Sequence, residues 1–496
     1  MVKRQDGFIT GTAVSKGFNV NRSEPREIKA STGYGVCQEQ LSPFGGLLAL
    51  IKFLDLIQFE TILEQVYQKP TRAPKLGHYR MIVGILMLLF IGFNRLWHFT
   101  YIRLDAMVCG FFRLSRLPAP STFWRYLDSL GINQARSFLK IMGFLRERVW
   151  QQCSLRYNKI HLSIDTTVET IYGNQQGGKV GHNPKHPGKK GYRPILCFID
   201  ETREYLIGKL RKGKTVDSEE GAKFIRQIKR QLPGCIRKVL LRADGEFFNW
   251  KTISAAMQEG FDFIIARKLG NPPFDSDKWY RPWKRKPFEY NSTIYQPIGW
   301  QNPCRFVAMR IPKEKDESKA KNAQYELFDH DSYTYRIFCT NLRGRPHKII
   351  AQYDKRADAE NLIGEAKREG LDAIPSARFK NNYAYFQIVM LAYNIWRYFK
   401  IMAQISAKDK KWSKGHNVAQ GLEVVMNNTI RVARLKLLFI AAKLVSHSNR
   451  EKVKYSIHDS RTPGLIRFLK FLDRLRSEPR IWIQGSLWTP QFSLGI

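Results

Sequence analysis

The feature that most constrains the fold is a change of period near Ile160. Before it, apolar residues recur at helical steps: Leu47, Leu48, Ile51, Leu54 and Ile57 mark one face of a helix. From Ile160 the period falls to two. In HLSIDTTV, Leu162, Ile164 and Val168 take one strand face, while Ser163 and Asp165 take the other. Apolar runs predict further strands at 194–200, 204–210, 237–241 and 261–266, with helices at 218–231 and 249–257 between the last three. That order excludes a pure bundle and a pure sandwich. It calls for an α/β architecture, a mixed sheet with helices packed on it.

The flanks read differently. Residues 78–98 are apolar nearly all round and predict the central helix of a bundle. The longest apolar run within them, 81–93, is shorter than the roughly 20 residues a membrane span needs. Pro118 and Pro120 then break the helix, and Ser121 and Thr122 are N-cap residues for a new one carrying Phe123, Trp124, Arg125 and Tyr126. A turn followed by a short basic, aromatic helix fits a helix-turn-helix with Arg125 on DNA, and equally an ordinary helical hairpin. Beyond the α/β segment, a stretch rich in Pro, Trp, Tyr, Lys and Arg precedes a strand at 333–340 and helices at 355–369 and 382–401.

Charge narrows the partner. Lys+Arg number 82 against 43 Asp+Glu, a net +39, and the part after Leu391 alone holds 19 against 6. Such an excess points to a polyanion, nucleic acid ahead of an anionic membrane surface. The seven cysteines are scattered without a C-x-x-C pair, which predicts neither structural zinc nor a disulfide framework and fits the reducing cytoplasm.

Three carboxylates stand in places that suit chemistry. Asp165 is mid-strand. Asp244 follows Val239-Leu240-Leu241, at the kind of strand end where α/β folds put active-site groups, although either aspartate could simply form a turn. In YDKRADAENLIGEAKREG, the residues Tyr353, Arg356, Glu360 and Lys367 are spaced 3, 4 and 7 apart, which returns to one face of a single helix. By itself that stripe could be a surface ladder whose Arg356–Glu360 pair contributes about 0.3–0.5 kcal/mol. Phosphodiester chemistry, however, is commonly run with two divalent ions about 3.5–4 Å apart, held by carboxylate oxygens.

Together these residues resemble the DDE transposases of bacterial insertion sequences. The pattern Y-x2-R-x3-E-x6-K around Glu360 is the signature of the group called YREK. Ile164-Asp165-Thr166-Thr167 is similar to the family's first aspartate segment, and Arg242-Ala243-Asp244-Gly245-Glu246-Phe247 to its second. The segment from Tyr172-Gly173 to His182-Asn183-Pro184-Lys185-His186-Pro187-Gly188 looks like one branch of these enzymes, and the likeness spans about 40–480.

The resemblance implies a ribonuclease-H-like mixed sheet flanked by helices. It also implies a β-rich insertion before the last catalytic helix, a helical N-terminal DNA-binding region and a basic C-terminal tail. The expected parts are a polar arm at 1–40, the helical region at 41–155, the core at 156–269 and 333–402, the insertion at 270–332 and the basic region at 403–496. Asp165, Asp244 and Glu360 would be the catalytic set, binding Mg2+ with Mn2+ as a substitute, and Glu246 is the nearest replacement for Asp244. Tyr353, Arg356 and Lys367 would contact DNA phosphates. The loop residues Lys185, Lys189, Lys190 and Arg193 would lie along the backbone, or else decorate a solvated hairpin. Trp283 would stack on a base, although core packing suits Trp279, Trp283 and Trp300 as well. The Asp244–Glu360 gap of 360 − 244 = 116 residues matches relatives that pass through a DNA hairpin.

The expected function is cut-and-paste transposition by two-metal-ion hydrolysis and transesterification. Its partners would be transposon terminal inverted repeats and target DNA, bound by a homodimer or higher assembly at the bacterial nucleoid. The alternatives are a ribonuclease-H-like nuclease without strand transfer and an inactive DNA-binding regulator.

Overall fold

The computed structural model describes residues 27–181, 183, 185–213, 216–267, 272–312, 333–409, 422–447 and 450–478. Most of the expected arm at 1–40, His182, the polar run 313–332 and the end of the basic tail lie outside them. In chain order the first elements are β1 (Leu41–Ser42), α1 (Leu47–Leu56), α2 (Phe59–Val66), α3 (Gly77–Ile91), α4 (Phe99–Ile102), α5 (Ala106–Phe112), α6 (Pro120–Ser129) and α7 (Ile132–Gln152). Next come β2 (Lys159–Thr166), β3 (Glu169–Thr170), β4 (Lys179–Val180), β5 (Lys190–Tyr192), β6 (Ile195–Ile199), β7 (Glu204–Lys209), α8 (Ser218–Gln231), β8 (Lys238–Ala243), α9 (Trp250–Gln258) and β9 (Asp262–Ala266). The chain continues through β10 (Glu289–Tyr295), β11 (Cys304–Pro312), β12 (Tyr333–Thr340), α10 (Pro346–Asp354), α11 (Ala357–Ala366) and α12 (Phe379–Lys408). It ends with α13 (Ile430–Leu437), β13 (Ala442–His447), β14 (Arg450–Tyr455) and α14 (Thr462–Ser477).

These elements form two compact units, each built from separated stretches of chain. The first unit joins the chain up to Gln58 and Phe99–Pro118 to Tyr398–Pro479. β1 pairs with the β13–β14 hairpin, and α1 packs on α14. Close backbone approach explains the join. Gly45 and Gly46 donate to the carbonyls of Ile440 and Leu438, and a Cβ at Gly46 would collide with the Leu437 carbonyl. Gly46→Ala is therefore expected to cost roughly 1–3 kcal/mol, as overpacking does. A thermal melt checks this, and an unchanged transition would mean the two segments can part without loss.

The second unit, Phe59–His98 with Ala119–Arg397, holds the eight-stranded sheet, in order β10-β11-β12-β9-β8-β2-β6-β7. β2, β8 and β9 run parallel and the remaining pairs antiparallel, so the sheet is mixed, as the element order required. Ile195–Ile199 is buried at every residue, the pattern of a strand covered on both faces. On one face Phe224, Ile225 and Ile228 of α8 and Ile253 of α9 join Leu162, Ile164 and Leu241 in the core.

Several expectations shift in detail. Within the expected insertion, β10 and β11 extend the main sheet beyond β12. β3, β5 and β4 form a separate three-stranded sheet rather than a simple hairpin. α3 stops at Ile91 instead of running to 98, because Gly92 turns left-handed at φ 105°. α6 opens on Pro120 and takes no side-chain cap from Ser121 or Thr122. A first-turn proline loses no helix hydrogen bond and pre-sets φ. Among the described residues no single helix is long and apolar enough to cross a membrane.

Candidate active site

Strand register builds the site. β2 and β8 pair in parallel with Ile164 opposite Ala243, so Asp165, still within β2, and Asp244, the residue after β8, come side by side. Asp244 caps a short helical turn by accepting from the Glu246 N–H at 3.1 Å. Asp165 accepts from the Thr166 N–H at 2.8 Å and pairs with Arg356 at 2.9 Å. Burial raises the Asp165 carboxyl to about 6, with Arg356 opposing the rise and Asp244 and Glu360 adding to it.

The stripe predicted for one helix is broken. α10 ends at Asp354 and α11 starts at Ala357, with Lys355 and Arg356 at the junction. The junction turns Arg356 inward, where its guanidinium reaches Asp165, the Ile164 carbonyl at 3.4 Å and Glu360 at 3.7 Å. A buried guanidinium needs such partners. Tyr353, on α10, packs against Phe338 with ring centroids 4.4 Å apart and has Arg356 over its own ring at 5.9 Å. Glu360 remains 69% exposed. Lys367 closes α11 and donates to the Val168 carbonyl at 2.7 Å. A wider helical turn, Lys367–Leu371, follows and contains the left-handed Gly370 (φ 117°), where a side chain would also press on Leu89.

Arg242, fully buried, ties these parts together. It pairs with Asp200, donates to Ser163 Oγ at 3.1 Å and donates to the Gln352 carbonyl at 2.8 Å. The last bond holds the end of α10 against the sheet.

An open cavity of about 1170 Å³ collects much of this chemistry. Asp165, Asp244 and Glu360 line it with Lys185, Arg193 and Lys367. Arg193 pairs with Glu246, which also lines the cavity and accepts from Thr166 Oγ1 at 3.3 Å. Tyr353, Arg356, Lys189, Lys190, Arg125 and Trp283 do not line it. Lys189 and Lys190 are exposed on the small sheet, and Arg125 is exposed on α6. Trp283 is 43% exposed, edge-on to His347 and Tyr290, with the Lys286 ammonium 5.3 Å from its ring. Trp300 packs among Phe248, Trp250 and Phe306, and Trp279 lies under Arg310.

Arg95 and Arg267, which the sequence did not single out, also line the cavity, as do Asn183 and His186, which it quoted only as part of a family-like segment. The strand-end rule that flagged Asp244 would have flagged Arg267, one residue past β9.

A family model described as Transposase DDE domain group 1 matches residues 34–477. The chain belongs to this transposase family. Among solved structures, the transposase is similar to the piggyBac transposase synaptic complex with hairpin DNA, at 10% identity and a TM-score of 0.42, covering 79% of this chain and 82% of that one. It is also similar to the Mos1 transposase paired-end complex with left transposon end, at 9% identity and a TM-score of 0.16, covering 40% of this chain and 60% of that one. A pre-cleavage Mos1 transpososome gives 9% identity, a TM-score of 0.15 and coverage of 40% and 61%. No curated protein sequence matches the chain.

Whether this transposase's residues fit a divalent metal can be tested on the site itself. The available donors are hard carboxylate oxygens, the type Mg2+ takes. Like-charged neighbours and burial already press on Asp165, and a cation would relieve both. The Arg356 guanidinium currently supplies positive charge between Asp165 and Glu360. Among the described residues no three His, Cys, Asp or Glu side chains stand close enough to hold a metal in this arrangement. The fit is therefore one of donor chemistry and placement, with Glu360 exposed on its helix.

Proposed function

We propose that the chain is a cut-and-paste transposase of the bacterial YREK type, with a ribonuclease-H-like core that cleaves and rejoins DNA at Asp165, Asp244 and Glu360. The observation that carries this reading is the shared cavity, where carboxylates from β2, the end of β8 and α11 face one space with Lys185 and Lys367. A divalent cation, Mg2+ or Mn2+, held by those three carboxylates would supply Lewis-acid polarisation and a more acidic water. The chain's own groups orient the rest. Arg356 holds the Asp165 carboxylate in place and favours its ionised form. Arg193 compensates Glu246, so that this fourth acid repels DNA less. Lys367, anchored to the Val168 carbonyl, brings an ammonium to where a phosphate would lie, and Lys185 adds charge from the small-sheet region. Nothing here requires a covalent protein–DNA bond. The long Asp244–Glu360 interval supports a hairpin intermediate, and the net charge of +39 supports inverted repeats and target DNA as partners of a dimer or larger assembly at the nucleoid.

The test is to incubate the full chain and Mg2+ with duplexes carrying its own element's ends. Cleavage at the ends, and joining from a pre-cut 3′ end, are expected. Cleavage without joining would reduce the protein to a nuclease, and neither product would leave a regulator. Lys367→Ala is expected to weaken end binding and to lower the salt slope of log K by about 0.9. An unchanged slope would mean that Lys367 touches no phosphate.

A further inference from the structure

We infer that Arg267 is a phosphate-binding residue of the DNA site, outside the Y-x2-R-x3-E-x6-K pattern. The inference rests on the proposed reading that DNA enters the cavity, and it adds a contact from the sheet rather than from α11.

Register gives Arg267 its place. β9 runs parallel to β8 with Ile265 opposite Ala243, so the chain leaves β9 beside the turn that carries Asp244. The Arg267 N–H donates to the Ile337 carbonyl at 2.9 Å, which fixes the backbone to the sheet. Its guanidinium lies 5.7 Å from the Phe306 ring, and the residue lines the same cavity as Asp165 and Asp244.

What needs explaining is the head group. Nε and Nη1 are both buried, and neither has a hydrogen-bond partner among the described residues. A guanidinium has five N–H donors and stays protonated in proteins, so it cannot escape this cost by losing its charge. Leaving buried donors unmet is unfavourable, and folded proteins seldom do so without a reason. The acids lining the cavity beside it are engaged elsewhere: Asp165 with Arg356, Glu246 with Arg193, and Asp244 with the Glu246 N–H. The remaining partner is an anion brought into the cavity. A phosphodiester suits it, because its ionised oxygens accept strong, charge-assisted hydrogen bonds from a guanidinium.

The inference separates function from stability. In Arg267→Met an unmet charge is removed, so the melting temperature should stay the same or rise. Affinity for a labelled duplex carrying the element's end, measured in EDTA, should fall about tenfold, with a salt slope shallower by about one. Arg267→Lys, which keeps the charge but not the fork, should recover part of the affinity. Unchanged affinity in Arg267→Met, beside a wild type that binds, overturns the role of Arg267 and leaves the DNA reading intact. A lowered melting temperature with affinity kept makes Arg267 a structural counter-ion and also overturns it. If stability and affinity fall together, Arg267→Lys decides: recovered binding supports the inference, and unrecovered binding overturns it. A wild type that ignores the duplex overturns the DNA reading and this inference with it.

Discussion

Replacing Asp165 by asparagine is expected to cut strand cleavage about a thousandfold or more, equivalent to roughly 4 kcal/mol of transition-state stabilisation, while fold and end binding stay near normal. Asparagine keeps the shape and the acceptor for the Thr166 N–H but not the negative charge. The folded state should tolerate the change, because burial already penalises that charge and raises the carboxyl to about 6. Arg356 would lose one partner yet keep Glu360 and the Ile164 carbonyl. Asp244→Asn and Glu360→Gln should give losses of the same order. For Glu360 the stability control is the simplest, since its side chain is largely in solvent. The measurement is a cleavage gel in Mg2+ beside a thermal melt for each variant. Near-normal cutting by any one variant removes that residue from the catalytic set. If the exception were Asp244, Glu246→Gln would be the next variant to make, because Glu246 lines the same cavity.

The strand order was legible because each core strand carries its own apolar signal. The expected helix at 218–231 matches Ser218–Gln231 end to end, with Asp217 capping it through the Glu220 N–H. Strand 333–340 likewise matches Tyr333–Thr340. Spacing alone could not show the break between α10 and α11. At the junction Arg356 contacts a strand almost two hundred residues earlier, and no local propensity encodes such a contact. The shared unit of the two chain ends was hidden for a similar reason. Gly45 and Gly46 read as an ordinary turn until the Leu437–Ile440 backbone is seen lying against them. Arg267 went unnoticed because a basic residue in a chain of +39 attracts no attention until its donors are found buried.

The other large effect is expected far from the carboxylates. Arg146 of α7 and Glu204 at the head of β7 form an ion pair in which both side chains are 0% exposed. Glu204 Oε2 accepts from Arg146 Nε at 2.8 Å, and Oε1 accepts from Trp150 Nε1 at 3.0 Å and Thr202 Oγ1 at 2.8 Å. Arg146 Nη2 also donates to the Tyr205 carbonyl at 3.0 Å. Glu204→Ala would strip at least these three donors of their acceptor and take the paired carboxylate from a guanidinium in the core. The expected cost is about 3–5 kcal/mol, the range for breaking one side of a buried pair. Replacing both partners by apolar residues, as in Arg146→Met with Glu204→Leu, should recover most of that loss, because the expense lies in the stranded charge and not in the missing bond. Urea unfolding of the two singles and the double closes the cycle. A single-variant cost under about 1 kcal/mol would mean that water reaches the pair. The same variants separate scaffold from chemistry. At a temperature where Glu204→Ala is still folded, cleavage per folded molecule should match the wild type, whereas Asp165→Asn should stay inactive at every temperature.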